Sequence, residues 1–308
     1  MINIIIIPTG IKLNISIQES LQWQGIEIGA PGSKFISKIK IEYRESIGTI
    51  NWRRISESGC AMFASLEGNP QNISDQQLLQ AIARVCTSFT HGLWLIRDNG
   101  ATLDEGYLFG DNHVYAKGLQ GYSSAQIIQD PIEYDKNEIA TAFRVSEKML
   151  PLLPFANKDG TFLGKSEGVS RMNVFFTHFD AYRSHSDLAL RILHGVSALE
   201  SIVSTSKGEL AHSVSERVAL LISDNPDIRL GYYDEIKQIY NIRSSAVHGS
   251  FVGKTEILRQ MLHSSLAMDG ILRNLITHWF NGHVYFESII LKDSDIDKYF
   301  KRKILGSG

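Results

Sequence analysis

Residues Tyr232 to Ser250 read YYDEIKQIYNIRSSAVHGS. At helical period Ile236, Ile239, Tyr240 and Val247 fall on one stripe, the pattern of a helix with a single buried face. Arg243 falls on that same stripe. A guanidinium cannot be deprotonated, so on a core-facing stripe it needs a carboxylate, a phosphate or a water-filled cleft beside it. His248 follows five residues on. Gly249 comes next and can take the left-handed conformation that ends a helix. An arginine and a titratable imidazole are thus placed around the end of one helix.

Outward from this stretch, the second half of the chain reads as helix. Apolar periodicity marks helices at about 168–184, 187–205, 210–223, 232–248 and 254–280, joined by short polar links, the pattern of an antiparallel helical bundle. The first 135 residues differ. Ile2 to Ile7, Lys12 to Ile17, Gly25 to Ile28 and Phe35 to Tyr43 are isoleucine-rich and partly alternating, so they read as strands, as do Cys60 to Leu66, Leu93 to Ile96 and Gly106 to Leu108. Ser74 to Thr90 changes to a helical period behind a capping serine. Pro131, Pro151, Pro154 and the turn Asn157 to Gly160 break the chain around one further helix, about 137–150. The expected class is α+β: a mixed strand and helix domain over 1–150, an all-α antiparallel bundle over 165–282, and a tail over 283–308.

Composition bounds the function. The 308 residues suffice for two domains, and 43% hydrophobic with 21% charged residues is ordinary for a globular chain. A net charge of -2 leaves no global basic footprint, so any nucleic acid is held by a local patch. Cys60 and Cys86 make neither a disulfide framework nor a zinc site and read as buried thiols in a reducing compartment. MINIIIIPTG lacks the basic region and cleavage site of a signal peptide, and no stretch approaches the ~20 apolar residues of a membrane span. A cytoplasmic location without membrane contact is expected.

Three further patterns carry little. Gly160 to Ser166 approaches a phosphate-binding loop, but has three residues between its glycines where four are needed. His178, Asp180, His185 and Asp187 suggest a metal cluster, yet His178 and His185 are seven apart, whereas helical metal pairs sit at three or four. Lys301 to Lys303 reads as a solvated basic run. No metal and no cofactor is therefore expected. Glu200 is more informative: it lies close to Leu193, Val196 and Val203 on the apolar stripe of its helix. Glu200 and Arg243 would thus bring opposite charges inward, and two compatible roles follow: a buried ion pair that fixes helix register, and a carboxylate that orients Arg243 towards a phosphate.

Ala198-Leu199-Glu200, Ser215 to Leu221 and Tyr240 to Gly249 occur in that order, and with them the span from Leu188 to Gly249 resembles the HEPN domains, in particular their ApeA-like branch. The signature of that family is Arg-x4-6-His, matched here by Arg243 and His248. Ser244 departs from the pattern, since many active members carry Asn, Asp or His directly after the arginine. The resemblance implies metal-independent cleavage of RNA by a homodimer whose two Arg/His pairs face one shared cleft.

The residues fit that chemistry. A neighbouring 2′-hydroxyl attacks phosphorus, a base takes its proton, an acid protonates the leaving 5′ oxygen, and charge on the phosphoryl oxygens is stabilised. An imidazole such as His248 takes or gives a proton near neutrality, and a guanidinium such as Arg243 matches two phosphate oxygens. Tyr240 and Ser244 either add a hydrogen bond to substrate or serve packing and capping. The expected protein is an endoribonuclease, an antiviral-defence or toxin-like effector, with RNA as its partner. Its N-terminal domain would sense a trigger, select substrate or restrain the nuclease half. The alternatives are a catalytically silent HEPN module that binds RNA or a nucleotide or mediates assembly, and a structural bundle whose Arg/His pair is a core network. Nucleotidyl transfer is disfavoured because residues 1–150 lack a Gly-Ser followed by a paired-Asp signature.

Overall fold

A computed structural model describes residues 1–16, 19–30, 32–68, 73–119, 121–125, 130–153, 170–205, 208, 210–247, 255–288 and 293–306, the side chains of 246 and 247 excepted. The chain divides into two compact units, Met1–Pro151 and Leu152–Gly308. Together they make an α+β protein with an antiparallel sheet in the first unit and helices in the second.

The first unit is built around β1 (Ile2–Thr9). Successive strand residues point to opposite faces, and here both faces are covered. Ile4 and Ile6 enter one core and Ile5 and Ile7 the other, which is why the strand is a run of isoleucine and not an alternation of apolar and polar. The remaining strands of its sheet are β3 (Ser20–Trp23), β4 (Ile26–Gly29), β5 (Ala61–Leu66), β6 (Thr102–Phe109) and β7 (Val114–Gly118), in the order β3-β4-β5-β1-β6-β7 with every pair antiparallel. Ile4 stands opposite Ala64 on one side and Leu108 on the other. A separate parallel pair joins β2 (Ile11–Leu13) to β8 (Ile132–Tyr134).

Helices cover both faces of the sheet. On the first lie α4 (Asp75–Ile96) and α5 (Lys136–Met149), each opened by a capping box, Ser74 with Gln77 and Asp135 with Glu138. Gly92 lets them approach closely, because a Cβ there would stand 2.5 Å from the Ala142 carbonyl oxygen. Leu93 to Ile96, expected as a strand, is therefore the last turn of α4. Cys60 and Cys86 are buried free thiols in this core, and burial pushes both pKa values up.

On the second face lie α1 (Ser33–Ile36), α2 (Tyr43–Ile47) and α3 (Thr49–Glu57). Phe35 to Tyr43 was also expected as a strand. The buried residues are Phe35, Ile39, Tyr43 and Ile47, spaced by four, while Ile41 is 65% exposed. A strand burying Ile39 and Tyr43 would have buried Ile41 as well. Gly48, at φ +79°, makes the sharp joint between α2 and α3.

The second unit is helical: α6 (Arg171–Ser184), α7 (Leu188–Val203), α8 (Leu210–Ile222), α9 (Pro226–Val247), α10 (Thr255–Phe280), α11 (Val284–Ser288) and α12 (Asp293–Leu305). α6 and α7 run antiparallel. Arg171 near the start of α6 bonds the carbonyls of Ser201 in the last turn of α7 and of Ser204 just past it, while His178 meets His194 midway. Gly195 brings α7 close to α10, since a Cβ there would lie 2.6 Å from Met268 Cγ. Residues 283–308, expected as a tail, hold α11 and α12 instead. Tyr285, Ile296 and Phe300 are buried, and Asp297 accepts hydrogen bonds from Thr205 and from Arg217, both at 2.6 Å. Among the described residues no helix is long and apolar enough to cross a membrane.

Candidate functional site

α9 starts at Pro226, a residue whose fixed φ suits a first helical position, and the Asn225 side chain accepts from the Asp227 and Ile228 amides at 2.9 and 3.2 Å. The helix then buries Ile236, Ile239 and Tyr240. α7, capped by Asp187 on the Leu190 amide, brings Glu200 to the same place. The Tyr240 hydroxyl donates to Glu200 Oε1 at 3.0 Å. Burial raises the Tyr240 pKa, the Glu200 charge and hydrogen bond raise it further, and the Arg243 charge opposes them. The proton therefore stays on Tyr240, committed to Glu200.

That bond corrects one expectation. Among the described residues no ion pair joins Glu200 to Arg243; the carboxylate takes its hydrogen bond from Tyr240, which stands on the same stripe about one turn earlier. Arg243 is half-buried, and its Nε lies out of solvent with no hydrogen-bond partner among the described residues. A buried N–H in that state costs about 1–3 kcal/mol unless a ligand or water answers it. Tyr240 is likewise removed as a donor to substrate, because its single proton is engaged. Ser244 is exposed. His248, and the loop-like stretch from Gly160 to Ser166, lie outside the described residues.

The structure thus gathers Glu200, Tyr240 and Arg243 at the contact of α7 with α9, with Ser244 on the solvent side. A carboxylate fixes the turn that carries a guanidinium, and the guanidinium retains donor capacity. Such a group can take an anionic oxygen, above all a phosphodiester. The Glu200 charge also reaches His178 on α6, whose pKa burial lowers and Glu200 raises. Sequence reasoning placed His178 and His185 on one face and missed His194. The α7 imidazole lies near both of the others, and its only signal was a polar residue among the apolar positions of α7.

Among the described residues no group of three or more His, Cys, Asp or Glu side chains is placed to hold a metal ion. Comparison of the chain with protein-family models, curated proteins and solved structures finds no match.

Proposed function

We propose that this protein is a metal-independent endoribonuclease of the HEPN type, acting as a homodimer in antiviral defence or as a toxin-like effector. The observation that carries the reading is the state of Arg243: half-buried, next to an engaged Tyr240–Glu200 pair, with an Nε that no group among the described residues satisfies. In this reading Arg243 binds two oxygens of the scissile phosphate and stabilises the charge that develops on them. His248, five residues on, exchanges a proton with the attacking 2′-hydroxyl or the leaving 5′ oxygen. Tyr240 and Glu200 hold the turn from which Arg243 projects. The second protomer supplies the other Arg/His pair, so that one cleft holds two imidazoles, one for each proton transfer. The first unit selects the RNA or restrains the second unit until a trigger arrives.

The test is cleavage of single-stranded RNA in EDTA by the wild type beside His248→Ala. Cleavage by the wild type alone is the expected result, and equal cleavage by both would remove His248 from the chemistry. A second reading, a silent HEPN module that binds RNA without cutting it, is favoured by Ser244, which is exposed and stands where many active members carry Asn, Asp or His. It would show as RNA binding that Arg243→Ala weakens, with no cleavage by either protein.

A further inference from the structure

The α6–α7 pair holds a cluster of imidazoles that the cleavage reading leaves unused. His178 of α6 and His194 of α7 present their Nδ1 atoms to each other at 3.4 Å, with ring planes tilted by 33°. His185, just past the end of α6, stacks on His194 with ring centroids 5.2 Å apart and planes 2° from parallel. All three are half-buried.

The separation of 3.4 Å stands at the long end of a hydrogen bond and within the span of two ligands on one ion. Hydrogen bonds from nitrogen donors ordinarily measure ~2.7–3.2 Å, so a bond between the imidazoles would be long. Two nitrogens bound at ~2.0–2.1 Å to a tetrahedral ion stand ~3.3–3.4 Å apart, the edge of that tetrahedron. We propose that His178 and His194 together chelate a divalent transition-metal ion of the kind that favours imidazole nitrogen: zinc, nickel or copper.

The surroundings suit a dication. Metal binding requires neutral imidazoles, and burial lowers the pKa of both residues; for His194 the neighbouring His178 and His185 lower it further. The Glu200 carboxylate lies within electrostatic reach of His178 and offsets positive charge placed there. His185 contributes a stacked ring and not a third ligand, and no third His, Cys, Asp or Glu completes a set among the described residues. Water fills the remaining coordination positions. The site is therefore open and exchangeable, unlike a closed structural zinc site. It takes no part in RNA cleavage and does not depend on it.

Calorimetric titration of the full chain with zinc chloride tests the site. About one ion per chain is expected for the wild type and for His212→Gln, whose imidazole instead meets Tyr233 at 2.8 Å. His178→Gln and His194→Gln should each abolish that binding. No binding by the wild type, or equal binding by all four proteins, would overturn the proposal. Because both imidazoles also pack against their neighbours, a second measurement uses the wild type alone. Zinc should slow the acylation of His178 and His194 by diethyl pyrocarbonate, read by peptide mass spectrometry, and unchanged rates at both residues would likewise overturn it.

Discussion

β1 and α9 are the organising elements of their units, and they use their side chains differently. On β1 every residue from Ile4 to Ile7 is buried, two into each core, so the strand commits itself wholly to folding. α9 does the same through Ile236, Ile239 and Tyr240, and then within one turn places Arg243 half in the bundle with a buried N–H unanswered among the described residues. A strand covered on both faces has no side chain to spare for chemistry. A helix that leaves its core partway along has several, held by the part that remains buried.

The sharpest way to break the comparison is to open a cavity on β1. Ile5→Ala should cost about 2–5 kcal/mol. Denaturant unfolding followed by fluorescence checks it, since Trp23, Trp52 and Trp94, three of the four tryptophans, belong to the first unit. A loss near zero would mean that β1 is not the two-sided strand described. At the α7–α9 contact the expected loss is smaller: Tyr240→Phe keeps the ring and removes the hydrogen bond to Glu200, for about 1–2 kcal/mol in thermal or urea unfolding. Glu200→Gln, which keeps an acceptor, should cost less than Tyr240→Phe. The reverse order would indicate that Glu200 acts mainly as a charge.

A smaller effect still is expected at α12. Hydrogen bonding from Thr205, then the Arg217 guanidinium, outweighs burial and holds the Asp297 carboxyl below the usual carboxylate range. Its folded pKa lies under the unfolded value, so its contribution is present above the ordinary carboxylate pKa of ~3.9 and is lost as pH falls through the depressed value. The side chain is half exposed, so solvent screening keeps the contribution modest. Asp297→Asn should lower the thermal midpoint slightly at pH 7 and by less at pH 2. An equal deficit at both would assign the effect to packing.

These contrasts also explain what could be read from the residues alone. The helices α6 to α10 were legible because apolar residues recur in them at helical spacing, and β1 because a short isoleucine run between turns suits a strand buried on both faces. Phe35 to Tyr43 misled because β-branched residues imitate a strand, while the spacing of four that decides the matter shows only once Ile41 is seen in solvent. α11 and α12 were missed because Asp293 to Leu305 is largely charged and shows its two anchors, Ile296 and Phe300, only when packed. At the site, the angular positions of Glu200, Tyr240 and Arg243 were readable from helical period. Period gives direction around a helix and not reach, so it could not tell that the tyrosine, one turn nearer, would take the carboxylate.

Arg243→Lys separates folding from chemistry most directly, because lysine keeps the charge and loses the two-pronged donor. The measurement is the rate of single-stranded RNA cleavage in EDTA, with thermal midpoint and dimer mass recorded on the same samples. The expected result is an unchanged fold and assembly with cleavage at least ~100-fold slower, about 2.7 kcal/mol of lost transition-state stabilisation. A lysine variant that cleaves at the wild-type rate would contradict the assignment of Arg243 to the scissile phosphate.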